Sequence, residues 1–173
     1  MNILYAPWRE EYTTSTAQGP KGQETAGPED CVFCLRFSQT NDDENFILAR
    51  YKYNCVMLNR YPYNPGHLLI IPFEHKGSLE DFSVEVQKEL IQLVTHSTTI
   101  LKKELKAQGM NIGMNLGKAA GAGIPAHLHT HVLPRWYGDT NFLPTLAETK
   151  QVSSDLGKLF KEISPKFKDL PIY

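Results

Sequence analysis

Of the six histidines in this 173-residue chain, three stand at alternate positions of one short segment, His127-Leu-His-Thr-His-Val-Leu133. A strand has a side-chain period of two, so His127, His129 and His131 project from one face while Leu128, Thr130 and Val132 face the other way. Three solvated imidazoles in a row would serve no packing purpose, and three buried ones would each need hydrogen-bond partners. Two chemistries suit the row. The imidazoles can bind a metal ion together, or one can be a nucleophile that its neighbours orient. An imidazole with a reference pKa of about 6.5 is largely neutral at pH 7 and attacks without a separate base.

The residues just before the row favour the nucleophile. Met110 to Leu116 alternates strictly, with Met110, Ile112, Met114 and Leu116 on one side and Asn111, Gly113 and Asn115 on the other, which describes a strand with one polar face. Gly117 to Ala126 follows as a loop holding Gly117, Gly121 and Gly123. It lacks the spacing of a Walker A sequence. Asn115, Lys118 and the loop's backbone N–H groups are nonetheless suited to an anion such as phosphate. A second cluster, Cys31-Val-Phe-Cys34, has metal-ligand spacing but supplies only two ligands. A redox disulfide is the rival reading, without a thioredoxin-like βαβ context around it, and two unpaired thiols are the third. Cys55 falls inside a strand and reads as core.

The elements that must position these groups are short. Phe46 to Ala49, Cys55 to Leu58 and His67 to Ile71 read as strands, and Arg60-Tyr-Pro-Tyr-Asn-Pro-Gly66 joins the last two as a turn, so they should pair antiparallel. Ser83 is the predicted N-cap of a long helix with Val86, Leu90, Leu93, Val94, Ile100, Leu101 and Leu105 on one stripe and Gly109 as its stop. His96 within it reads as a surface or packing residue. A C-terminal helix is expected at about Ser154 to Ile163. Ser15 to Asp30, rich in Gly, Pro, Thr and Gln, reads as a flexible surface loop in a single domain spanning residues 1–173.

With 18 Lys and Arg against 19 Asp and Glu, the chain has no field that would demand a nucleic acid polymer or an anionic membrane as partner. Met1 to Tyr12 has no signal-peptide core, the longest apolar run is Leu68 to Pro72, and three cysteines suit no secreted disulfide framework. A cytoplasmic protein is expected.

The segment His127 to Leu133 matches the histidine triad signature, in which histidines alternate with apolar residues, except that Thr130 replaces an apolar residue. Leu58-Asn-Arg-Tyr-Pro-Tyr-Asn-Pro-Gly-His-Leu-Leu-Ile-Ile-Pro72 is similar to the same family's first conserved block. The resemblance to the histidine triad (HIT) family covers roughly Asp30 to Pro134. Pro134 to Phe142, with Ala6-Pro-Trp-Arg9, resembles the bacterial branch that holds diadenosine tetraphosphate phosphorylases and hydrolases.

The resemblance implies an α+β fold: a mainly antiparallel sheet of about five strands, a long helix and a C-terminal helix on one side, and two-fold dimers paired through the helix and an edge strand. It implies that His129 is the nucleophile, its tautomer fixed by the backbone carbonyl of the first triad histidine. His131 and His67 would contact phosphate or complete the network, Asn59 would bind ribose hydroxyls, and Asn115 would lie on the phosphate side with Lys118, Gly121 and Gly123. Gly123 stands near a position that the family often fills with Ser or Thr. In several bacterial members a set matching Cys31, Cys34, His75 and His127 binds zinc, so structural zinc is expected and no organic cofactor. The implied reaction is nucleotidyl transfer or hydrolysis on a dinucleoside polyphosphate through a nucleotidyl-histidine at His129. A nucleoside phosphoramidase or related hydrolase, a nucleotide-binding regulatory module without turnover, and a metal-binding protein using the histidine row are the alternatives. Trp8, Trp136 and Phe142 suit either base stacking or packing.

Overall fold

Two strands of this chain are buried along their whole length: β2 (Asn54–Leu58) and β3 (Leu68–Pro72). They are two of the three inner strands of a five-stranded antiparallel sheet in the order β1-β2-β3-β5-β4, completed by β1 (Ile47–Arg50), β4 (Gly109–Met114) and the third inner strand, β5 (Thr130–Arg135). The computed structural model describes residues 27–140, 155–168 and 170–172. Ala6 to Arg9, most of the stretch Ser15 to Asp30 expected as a loop, and Phe142 lie outside the described residues.

One face of the sheet packs against a long helix, α3 (Val84–Glu104), and a C-terminal helix, α4 (Leu156–Ile163). Val56, Leu58, Leu68, Ile70 and Val132 of the sheet meet Leu90, Leu93 and Leu101 of α3 and Leu159, Phe160 and Ile163 of α4 in one core. Ser83 caps α3 as expected, accepting from the Val86 N–H. The predicted stop at Gly109 is wrong: α3 ends at Glu104, Lys106 takes a left-handed φ of +54°, and Gly109 already opens β4. The C-terminal helix starts at Leu156 with Asp155 as its cap, accepting from the Lys158 N–H, slightly later than expected.

The two expected helices share one side of the sheet, and the opposite face is covered as well. A six-residue helix, α1 (Val32–Phe37), lies there, and Phe33 and Cys31 pack with Cys55, Met57, Leu69 and Ile71. A further short helix, α2 (Asp42–Asn45), leads into β1. Coverage on both faces explains why β2 and β3 read as apolar runs, whereas β5 alternates between buried and half-buried residues.

The turn between β2 and β3 is anchored rather than free. Asn64 is buried and donates to the Pro134 carbonyl and the Asp139 carboxylate, which also pairs with Arg135. Gly66 has a φ of +76°, and a Cβ there would lie 2.5 Å from Leu105 Cδ1. Trp136 donates its indole N–H to the Leu105 carbonyl, so it serves packing. His96 donates to the Pro171 carbonyl, a packing role as expected. No helix among the described residues is long and apolar enough to cross a membrane.

Candidate active site

The regular ladder of β5 begins at Thr130, three residues after the first triad histidine. Upstream of it the chain leaves β3: the Leu128 N–H bonds the Lys76 carbonyl and the His127 N–H bonds the Ile124 carbonyl. This departure carries His127 to the cysteines. Its Nδ1 lies 3.3 Å from Cys31 Sγ and 3.5 Å from Cys34 Sγ, and His75 Nδ1 lies 3.4 Å from Cys34 Sγ. The four potential ligand atoms lie within 4.8 Å of one another. Tetrahedral ligation at zinc bond lengths spaces ligand atoms roughly 3.5 Å apart, so the donor set and its spacing both fit such an ion. His127 Nε2 is 2.8 Å from the Pro72 carbonyl and donates to it, which leaves the Nδ1 lone pair facing the thiols. Burial pushes the His127 pKa down to about 4 and, with Cys31 alongside, pushes the Cys34 thiol up to about 11. Cys55 is buried elsewhere in the core, as expected.

His129 is buried, with Phe33 against it at 5.4 Å between ring centroids. Its Nδ1 lies 2.9 Å from the His127 carbonyl oxygen. A carbonyl only accepts, so the proton sits on Nδ1 and the Nε2 lone pair is free. Burial holds the His129 pKa below its ordinary value, partly offset by that hydrogen bond, and the ring is neutral at pH 7.

The tautomers of the other two rings follow from one backbone donor. The Tyr63 N–H donates to His67 Nδ1 at 3.2 Å, so the His67 proton is on Nε2. That Nε2 lies 2.8 Å from His131 Nδ1, which must accept, and the His131 proton is therefore on Nε2. Asn59 supports the same arrangement: its Nδ2 is 3.3 Å from His67 Nδ1 and its Oδ1 accepts from the Tyr61 N–H. Tyr63 stacks on His131 at 16° between ring planes. Burial, with His129 nearby, pushes the His131 pKa down to about 4.

His129 and His131 line a cleft of about 380 Å³ together with Asn59, Asn115, Gly121 and Gly123. Gly121 holds a φ of +85°, a conformation that favours glycine, and its carbonyl accepts from Asn115 Nδ2 at 3.4 Å. Lys118 is exposed in the same loop and is not among the residues lining the cleft. His67 lies behind the cleft, against His131. Sequence reasoning missed Phe33, Arg36, Arg60, Tyr61 and Tyr63, which also line it. Three of these, Arg60, Tyr61 and Tyr63, lie in the turn that follows Asn59 and were within reach of its motif. Phe33 and Arg36 arrive on α1, and only tertiary packing brings them here.

Comparison with known proteins bears on family and fold. The profile of the HIT domain matches residues 40–137. The chain is 34% identical over 149 residues to a protein of Mycobacterium tuberculosis named AP-4-A phosphorylase, covering 86% of this chain and 75% of that one. It is 30% identical over 91 residues to the bis(5'-adenosyl)-triphosphatase of Saccharomyces cerevisiae, covering 52% of this chain and 44% of that one. A zinc-bound histidine triad family protein from Mycobacterium smegmatis superposes with a TM-score of 0.63 at 24% identity, over 81% of this chain and 94% of that structure. The alternating histidines, the block leading into β3 and the antiparallel sheet thus have one common explanation: the chain belongs to the histidine triad (HIT) domain family.

Proposed function

We propose that this enzyme cleaves dinucleoside polyphosphates, such as diadenosine tetraphosphate, by transferring a nucleotidyl group to His129 and from there to water or inorganic phosphate. The observation that carries the reading is the His129 ring itself. With Nδ1–H held by the His127 carbonyl, Nε2 keeps a free lone pair in a neutral ring that lines the cleft. The names of the relatives from Mycobacterium tuberculosis and Saccharomyces cerevisiae support the substrate class.

The steps balance as two displacements. Nε2 attacks the α-phosphorus in line, the bond from that phosphorus to the bridging oxygen breaks, and the remaining nucleoside polyphosphate leaves. Water or phosphate then attacks the same phosphorus and the N–P bond breaks, restoring His129. Little other covalent work is needed, so positioning and charge stabilisation dominate. The His131 ring lies 5.0 Å from that of His129 between centroids, and its Nε2–H suits a phosphoryl oxygen or the departing bridging oxygen. Asn59 suits the ribose hydroxyls, and Asn115 with the backbone at Gly121 and Gly123 suits the phosphate. Lys118 would reach the same phosphates only from the exposed side of its loop. Cys31, Cys34, His75 and His127 would hold a structural zinc ion, which would supply a cross-link between α1 and the chain beside the nucleophile.

Incubating the protein with diadenosine tetraphosphate tests the proposal. ADP and ATP formed only with phosphate identify a phosphorylase, and AMP and ATP formed without phosphate identify a hydrolase. Binding without products overturns the enzyme reading in favour of a regulatory module. His129→Ala is expected to lower kcat by more than about 10⁴-fold, the scale seen when a covalent nucleophile is removed. Near-normal turnover in that variant would end the covalent mechanism.

A further inference from the structure

Four arginines lie within the described residues, and they divide into two pairs by what they touch. Arg50 donates to the Asp42 carboxylate at 2.8 Å, and Arg135 holds Asp139 with two nitrogens, at 2.6 and 2.8 Å. Arg36 and Arg60 have no carboxylate partner among the described residues, and both line the histidine cleft. Arg36 is half-buried on α1, and Arg60 is exposed in the turn after β2. The two come from elements 24 positions apart and share one concave surface.

Two guanidiniums facing one cleft with no counter-ion among the described residues repel each other, and the half-buried one has lost part of its hydration. Burial and the neighbouring Arg60 hold the Arg36 pKa below its ordinary value. An anion in the cleft relieves both costs, and a guanidinium fork matches phosphoryl oxygens two at a time. Among the described residues the rest of the cleft supplies no other fixed positive charge: its histidines are neutral, and the side chains of Asn59 and Asn115 are uncharged. With a chain charge of −1, no general field compensates a polyanionic ligand either.

We propose that Arg36 and Arg60 form a second oxyanion subsite beside His129, which binds phosphoryl groups other than the one being transferred. The inference rests on the proposed function for its substrate, a polyphosphate arm extending beyond the α-phosphorus. Inorganic phosphate offers the same chemistry when it is the acceptor.

The test compares wild type with Arg36→Gln, Arg60→Gln and the double variant on two substrates. Diadenosine tetraphosphate has distal phosphates, whereas adenosine 5′-phosphoramidate has none. The ratio of kcat/KM for the first to that for the second is expected to fall about 3–10-fold in each single variant and at least about 10-fold in the double variant, with Arg36→Lys/Arg60→Lys recovering much of it. An unchanged ratio together with a similar rise in KM for inorganic phosphate upholds the oxyanion subsite and assigns it to the acceptor. An unchanged ratio with an unchanged phosphate KM overturns it. Calorimetric titration with inorganic pyrophosphate needs no turnover and keeps the two readings separate. If wild type cleaves neither nucleotide, the proposed function fails, yet pyrophosphate binding that weakens at least about 10-fold in the double variant still sustains the subsite. Wild type that binds no pyrophosphate, or a double variant that binds it as well, overturns it.

Discussion

A neutral imidazole has one nitrogen that donates and one that accepts, so a histidine becomes a defined reagent only when something fixes its proton. Here each triad ring has its own fixing group. The Pro72 carbonyl fixes His127, the His127 carbonyl fixes His129, and the Tyr63 N–H acts on His131 through His67. The sequence identified the histidines because their alternation is a property of side chains. It named the carbonyl that sets the His129 tautomer only through family resemblance. The partners of His127 and His67 escaped it, because Pro72 O and Tyr63 N are backbone groups whose position only the fold decides. In the proposed mechanism His67 acts through His131 as a positioning residue, so its removal should act on catalysis more than on binding. His67→Ala is expected to lower kcat about 10–100-fold with KM nearly unchanged, as for loss of a donor aimed at developing charge. His67→Gln, whose amide N–H can replace Nε2–H, should recover part of that loss. Steady-state kinetics on diadenosine tetraphosphate decides the matter: a variant that raises KM and leaves kcat intact would place His67 in substrate binding instead.

At the scale of elements, α1 is the piece that the sequence did not disclose. It has six residues, its N-cap Cys31 makes no capping hydrogen bond, and helices this short are unstable in isolation. Its residues instead announce themselves by chemistry, as two thiols one turn apart. The structure joins the two facts. Phe33 packs on His127 and His129 while Cys31 and Cys34 flank it beside His127 and His75, so whatever ties the thiols also seats Phe33 against His129. A zinc ion there would staple α1 to the sheet. Purified wild type is expected to contain one zinc per chain and Cys31→Ser much less than one. The variant should also unfold on the order of 5–10 °C lower, corresponding to about 2–3 kcal/mol in a chain of this size. Its kcat should fall as well, because the His127 carbonyl that sets the His129 tautomer sits on a residue of the proposed zinc set. Elemental analysis and calorimetric melting provide the check. Unchanged zinc content in Cys31→Ser removes the assignment of that thiol as a ligand.

For the molecule as a whole, the strand order has a consequence that alternation alone concealed. Met110, Ile112 and Met114 form the apolar side of β4, and a strand pattern of that kind assigns them to a core. Met110 and Met114 do pack against it, yet Ile112 is 49% exposed, although its partner across the ladder, Val132, is fully buried. The reason is position: β4 is outermost, with β5 on one side and no strand on the other among the described residues. Leu116 just beyond β4 and Ile91 on α3 are exposed too, at 46% and 57%. An uncovered edge strand with exposed apolar residues invites pairing, and the symmetric solution is an isologous two-fold contact in which β4 meets β4 of a second copy. This agrees with the dimer that the family resemblance implies. Glutamate at the centre of such a contact would bury two like charges facing each other across the axis. Ile112→Glu is therefore expected to convert a dimer into a monomer by sedimentation equilibrium while leaving the melting of each subunit cooperative. Wild type that sediments as a monomer, or a variant that stays dimeric, would show that this edge is closed in some other way.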